Sequence, residues 1–225
     1  MDPPTIKVII VGDSTCGKTS ILKRLVDNEY KTSEKATLGV DFYIRIFYSS
    51  HEKQKQRVKM VIWDTAGQER FASLVASYYR GSHVMLFVFD LTRKESFASL
   101  KDRWLKHASW APDANGSYDA VAFLIGNKVD LSDSKRQITR EEGTAFAEMH
   151  GMHAYFEMSA ATGQNVQEHF QEIVDSLFET TAAGKLPLQT YNNECDDDDG
   201  DSGGGGVPLS LAVEQNITVK RNNCC

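Results

Sequence analysis

The run IKVIIVGDSTCGKTSILKRLV, residues 6–26, constrains this chain more than any other stretch. Its first part is apolar and β-branched and reads as a buried strand. ILKRLV continues at helical spacing, and Gly12 and Gly17 punctuate the turn between them. A strand that passes through a short loop straight into a helix aims the helix's first, unbonded N–H groups at that loop. The loop fits Gly-x-x-x-x-Gly-Lys-[Ser/Thr], in which backbone N–H groups cradle phosphate oxygens at a helix N-terminus. Asp13, Ser14, Thr15, Cys16, Gly17, Lys18, Thr19 and Ser20 are therefore assigned to a nucleotide. Lys18 faces the β- and γ-phosphates, and Thr19 offers its hydroxyl to Mg²⁺. Cys16 is expected to serve as a small apolar filler.

The same alternation recurs along the chain. Strands are predicted near 5–11, 42–48, 57–63, 83–89, 120–126 and 154–158, and helices near 18–27, 69–78, 95–110, 139–150 and 165–180. VMLFVF and AVAFLI are apolar throughout, as central strands covered on both faces must be. Val166, Phe170, Ile173, Val174 and Leu177 form one stripe on the last helix. Thr139 with Glu142, and Asn165 with Glu168, fit the capping box. Strand–helix alternation gives an α/β fold: a mostly parallel six-stranded sheet with helices on both faces, binding ligand at the strands' carboxyl ends. YSSHEKQKQR reads as an extended, solvated hairpin between the second and third strands.

Two further segments end apolar strands with fixed polar groups. In VIWDTAGQER, Asp64 can hold Mg²⁺ through a water, Gly67 can turn its N–H toward a terminal phosphate, and Gln68 can orient an attacking water. In FLIGNKVD, Asn127, Lys128 and Asp130 follow the strand. A carboxylate accepts a pair of hydrogen bonds from the N1–H and 2-amino edge of guanine. Adenine lacks that donor pair, so Asp130 would select the base.

With these three segments the chain resembles a small GTPase of the Ras superfamily, specifically a Rab, over about residues 5–180. ATLGVDF (36–42) resembles the first switch, whose Thr37 would bind Mg²⁺ and the γ-phosphate and so join Gln68 and Lys18 in catalysis. EMSAAT (157–162) resembles the last guanine-contacting loop, with Ser159, Ala160 and Ala161. Tyr30 falls where the family sets an aromatic ring against the base. YYRGS and FDLT resemble Rab-distinguishing stretches, and Phe42, Trp63 and Tyr78 match the triad by which Rabs meet effectors. The resemblance implies a P-loop small-GTPase fold and slow GTP hydrolysis to GDP, stimulated by an activating protein. It also implies effectors, an exchange factor and a GDP dissociation inhibitor as partners, and a role in vesicle traffic. Three positions depart from the family: Thr15 stands where glycine is usual, Ala161 where lysine is usual, and Glu34 at a first-switch position often aromatic. The side chain at Thr15 is expected to alter nucleotide exchange.

Residues 1–182 are assigned to the GTPase domain and 183–225 to a disordered tail, because CDDDDGDSGGGG cannot bury a core. From Lys185 onward seven acids (Glu194, Asp196 to Asp199, Asp201, Glu214) face three bases (Lys185, Lys220, Arg221), a net of −4 out of −6 for the chain. That balance offers no basic footprint for nucleic acid. No stretch approaches the roughly 20 apolar residues of a membrane span, and the acidic, proline-containing start is no secretory signal. The ending RNNCC resembles the Rab signal for double geranylgeranylation at Cys224 and Cys225. It implies escort and prenylation machinery and anchoring of a monomer on the cytoplasmic face of an endomembrane, with a cytosolic pool. Two lipid chains anchor stably where one does not. Two rivals stay open: a nucleotide-locked adaptor that signals by binding alone, and a P-loop metabolic kinase, for which Asp130 has no use.

Overall fold

A computed structural model of the chain describes residues 3–32, 36–37, 39–50, 56–67, 78–110 and 120–182. Six strands form one sheet: β1 (Thr5–Val11), β2 (Val40–Tyr48), β3 (Arg57–Thr65), β4 (Val84–Asp90), β5 (Val121–Asn127) and β6 (Ala154–Met158). Their order is β2-β3-β1-β4-β5-β6. β2 and β3 pair antiparallel, as the hairpin reading requires, and every other pairing is parallel. α1 (Lys18–Asp27) follows β1. α2 (Lys94–Ser99) runs through a π-helical turn at Leu100–Trp104 into α3 (Leu105–His107). α4 (Ser132–Lys135), α5 (Arg140–Met149) and α6 (Val166–Ala182) follow among the described residues. The helix predicted near 69–78 lies outside the described residues except at its last position.

The core has two layers because β1 and β4 are buried on both faces. Ile6, Val8 and Ile10 face α1 and the Val166–Leu177 stripe of α6, while Ile9 and Val11 face Leu100, Trp104 and Ala147. Burying a leucine- or phenylalanine-sized side chain stabilises by roughly 1.5–3 kcal/mol. The fully buried Phe87, Phe89, Phe123 and Phe170 therefore hold the sheet between its helices.

One of the two capping boxes forms. Thr139 Oγ1 accepts from Glu142 N at 3.1 Å, and Thr139 N donates to Glu142 Oε2 at 2.8 Å. Asn165 does not cap in that way. Its backbone is left-handed (φ 61) and its amide donates to the Glu157 carbonyl at 3.0 Å, tying the helix start to β6 instead.

Register decides where the chemistry gathers. Ile10 pairs with Asp64, Asp90 with Asn127, and Asn127 with Met158. Ile10 also pairs with Leu86, so Asp64 stands level with the end of β1, while Asp90 and Asn127 lie four residues further along; all three are at the carboxyl ends of their strands, on the side from which the loop leaves β1. The strand order also switches direction at β1, the place where α/β sheets open a crevice.

Candidate functional site

The loop from Gly12 to Thr19 enters α1 through Gly17, which caps the helix in the left-handed region (φ 93) without a side-chain hydrogen bond. A Cβ there would lie 2.3 Å from Asn127 Nδ2, so only glycine lets Asn127 approach this loop. Lys18 is buried, and its Nζ donates to the carbonyls of Gly12 at 2.8 Å and Asp13 at 3.0 Å. Gly67 presses on the same loop: Ser14 N donates to its carbonyl at 3.0 Å, and a Cβ on it would stand 2.6 Å from Lys18 Nζ. Cys16 is fully buried, its Sγ donates to the Asp13 carbonyl, and burial pushes its thiol pKa up, all of which suits packing rather than reactivity. Asp13 turns its carboxylate away to Trp104 Nε1 (2.8 Å) and Arg103 (3.6 Å), leaving its main chain to the loop. Ser20 lies on the first turn of α1.

Thr19, Thr37 and Asp64 converge beside Lys18. Thr19 Oγ1 donates to Asp64 Oδ2 at 2.5 Å and lies 2.9 Å from Thr37 Oγ1. Asp64 is fully buried, its Oδ1 has no partner among the described residues, and burial pushes its pKa up to about 6 despite the Thr19 hydrogen bond. Two hydroxyls and a carboxylate make a hard-oxygen set that fits Mg²⁺, and a divalent cation would stabilise the buried charge.

Around Asn127 and Asp130 the polar atoms satisfy one another. Asn127 Nδ2 donates to the Cys16 carbonyl at 2.8 Å, and Asn127 Oδ1 accepts from Ala160 N at 3.1 Å. Ser159 Oγ donates to Asp130 Oδ1 at 2.6 Å and accepts from Thr162 N at 3.1 Å, aiming an exposed carboxylate from a buried hydroxyl. Lys128 adopts φ 70 and pairs with Asp90 at 2.6 Å. Burial raises the Asp90 pKa, but hydrogen bonds from Lys128 and Thr92 outweigh it and hold the carboxyl below its usual range. Tyr30 is exposed, and no hydrogen bond or ring contact among the described residues ties it to Asn127, Asp130 or Ser159.

Phe42, Trp63 and Tyr78 form a continuous row with ring centroids 5.8 and 5.2 Å apart, the first pair opposed across β2 and β3. Gln68, Glu34, Cys224 and Cys225 lie outside the described residues.

Sequence reasoning missed three contributors. Arg24 donates from Nε to the Ala160 carbonyl (3.0 Å) and from Nη2 to the Ala161 carbonyl (2.8 Å), so the last base loop is held from α1. Arg93 reaches Ser14 and Thr15. Neither carries a local signal. Asp90 does: it is an acid ending an apolar strand, the same signal that singled out Asp64.

The Ras family model matches residues 7–179. The chain is 36% identical over 195 residues to Ras-related protein Rab-18-B of Danio rerio, covering 87% of this chain and 90% of the relative. It is 39% identical over 188 residues to Ras-related protein Rab-1 of Theileria annulata, covering 83% and 81%. With Ras-related protein RABE1e of Arabidopsis thaliana the identity is 38% over 172 residues, covering 76% and 74%.

Proposed function

The chain belongs to the Rab branch of the Ras family of small GTPases, and on that premise we propose how its own residues run the switch. A Rab hydrolyses GTP to GDP and regulates vesicle traffic, meeting effectors, exchange factors, activating proteins and a GDP dissociation inhibitor. In our reading Lys18 leaves its carbonyl partners for the β- and γ-phosphate oxygens, while the N–H groups of residues 13–19 close round them. Thr19, Thr37 and Asp64 hold Mg²⁺, which when bound neutralises phosphate charge. Asp130 accepts the guanine edge, Asn127 ties that segment to the loop, and Lys128, Ser159, Ala160, Ala161 and Tyr30 border the base. Gln68 orients the attacking water. Thr37 and Gly67 meet the γ-phosphate and release it after hydrolysis, so both switches lose that contact and effector affinity at Phe42, Trp63 and Tyr78 falls.

The observation that carries this reading is the convergence on one loop of Lys18, of Asp64 through Thr19, and of Asn127 through the Cys16 carbonyl. Single-turnover hydrolysis, with binding titrations of GTP, GDP and ATP in Mg²⁺, tests it. GTP and GDP should bind far more tightly than ATP, and Gln68→Leu should slow hydrolysis, both alone and with an activating protein. Equal affinity for ATP, or undiminished hydrolysis by Gln68→Leu, would sink it.

The anchoring half of the proposal assigns residues 1–182 to the GTPase domain, 183–225 to a tail, and two geranylgeranyl groups to Cys224 and Cys225, added by escort and prenylation machinery. It is supported by the resemblance of CC to the Rab signal and by the stable binding that two lipid chains supply. No described helix is long and apolar enough to cross a membrane. A tagged chain should move from endomembrane to cytosol when both cysteines become serine.

A further inference from the structure

Thr15 is β-branched yet sits in the left-handed region at φ 67, where such residues are outliers. Its hydroxyl accepts from Arg93 Nη1 at 2.9 Å, and Arg93 Nη2 donates to the Ser14 carbonyl at 3.0 Å. A planar guanidinium thus spans two consecutive residues of the phosphate loop, a geometry that a lysine cannot reproduce.

Arg93 is itself fixed. Its N–H donates to the Asp90 carbonyl at 3.0 Å, and its own carbonyl accepts from Ser96 N at 3.1 Å and Ser96 Oγ at 2.7 Å. Asp90 in turn takes Thr92 on Oδ1 and Lys128 on Oδ2. A continuous polar chain therefore runs from the base segment, through the end of β4, to the tip of the phosphate loop. Ser14 is gripped from both sides, by Gly67 on its N–H and by Arg93 on its carbonyl.

We propose that Arg93 is a positioning residue for nucleotide retention: its fork holds Thr15 in the left-handed conformation that the phosphate loop requires, and so slows nucleotide release. The proposal rests on the reading of residues 12–19 as the phosphate site. It makes Arg93 and Thr15 partners, the arginine supplying the restraint that a β-branched residue needs there and a glycine would not.

The test is a double-mutant cycle in full-length protein loaded with fluorescently labelled GDP and chased with excess unlabelled GDP. Arg93→Ala should release nucleotide roughly tenfold faster when Thr15 is present, as expected for loss of a charge-assisted hydrogen bond or two. In the Thr15→Gly background the same change should accelerate release about threefold or less. Glycine adopts the conformation unaided and offers no hydroxyl, so only the Ser14 contact is lost. No acceleration by Arg93→Ala, or the same acceleration in both backgrounds, overturns the proposal. Where a variant loads too poorly for a chase, equilibrium affinity for GDP completes the same cycle. Thermal scans by circular dichroism at saturating GDP identify variants that merely unfold. Failure of the wild-type protein to retain GDP would instead overturn the site reading.

Discussion

The segments proposed to meet the base and the metal both touch the loop after β1, yet they are built in opposite ways. Around Asn127, Ser159 and Ala160 each polar group meets another: amide to carbonyl, hydroxyl to carboxylate, main-chain N–H to side-chain oxygen. Around Asp64 a fully buried carboxylate keeps one oxygen without a partner among the described residues, and Lys18 spends its charge on main-chain carbonyls. On the proposed reading the first arrangement is a rigid template that would select by shape and donor pattern. The second holds charges whose natural partners are a phosphate and a cation, so ligand binding there returns stability to the fold as well as affinity.

Four substitutions would break or sharpen that contrast. Lys18→Ala removes the buried cation and should weaken GDP binding by roughly 10³-fold, measured by titration. A loss below tenfold would mean that the loop's N–H groups alone carry phosphate recognition. Asp130→Asn replaces the guanine-selecting acceptor and should cut the preference for GTP over ATP by roughly 10²-fold, with a smaller effect on stability. If stability fell and preference stayed, the base side would be scaffold rather than selector.

Glu157 tests the template from beneath. It is buried at the end of β6, just before Ser159, and it accepts from Arg136 at 3.0 and 2.8 Å and from Tyr155 at 2.8 Å. Burial raises its pKa, but the bonds from Arg136 and Tyr155 and the charges of Arg136 and Arg140 outweigh that and leave it depressed. A depressed carboxyl pKa contributes stability that is present above the usual carboxylate range and is lost as pH falls through the folded value. Glu157→Gln should therefore cost about 3 kcal/mol near neutral pH, read from urea unfolding, and should flatten the loss of stability in acid.

Asp64→Asn should do the reverse on the metal side. Here burial raises the pKa to about 6, so the ionised carboxylate destabilises the metal-free fold above that pH. The amide should stabilise nucleotide-free protein by about 2 kcal/mol at pH 7.5 while weakening Mg²⁺-dependent GDP binding. Lower stability of the nucleotide-free variant would show that the carboxylate is structural.

How much of this was legible beforehand follows the range over which each signal acts. Lys18 was legible from the Gly-x-x-x-x-Gly-Lys-[Ser/Thr] pattern, and Asp64, Asn127 and Asp130 because each ends or follows an apolar run, and strand ends in a parallel sheet gather at one edge. The Thr139–Glu142 box formed because its atoms are three residues apart. The Asn165–Glu168 pair has the same spacing but forms no box: Asn165 is left-handed rather than extended, and its amide N–H goes to the Glu157 carbonyl of the preceding strand.

Local pattern, then, marked out the strands, the glycine-rich loop and the residues proposed for phosphate, metal and base. Tertiary structure alone decided how that loop is held. Arg93 lies 78 residues from Thr15, Trp104 91 residues from Asp13, and Arg24 136 residues from Ala160. Such contacts leave no periodicity and no spacing in the chain. They exist because the apolar faces of β1, β4 and the helices bring these side chains together, and their geometry follows from packing that no short window of sequence contains.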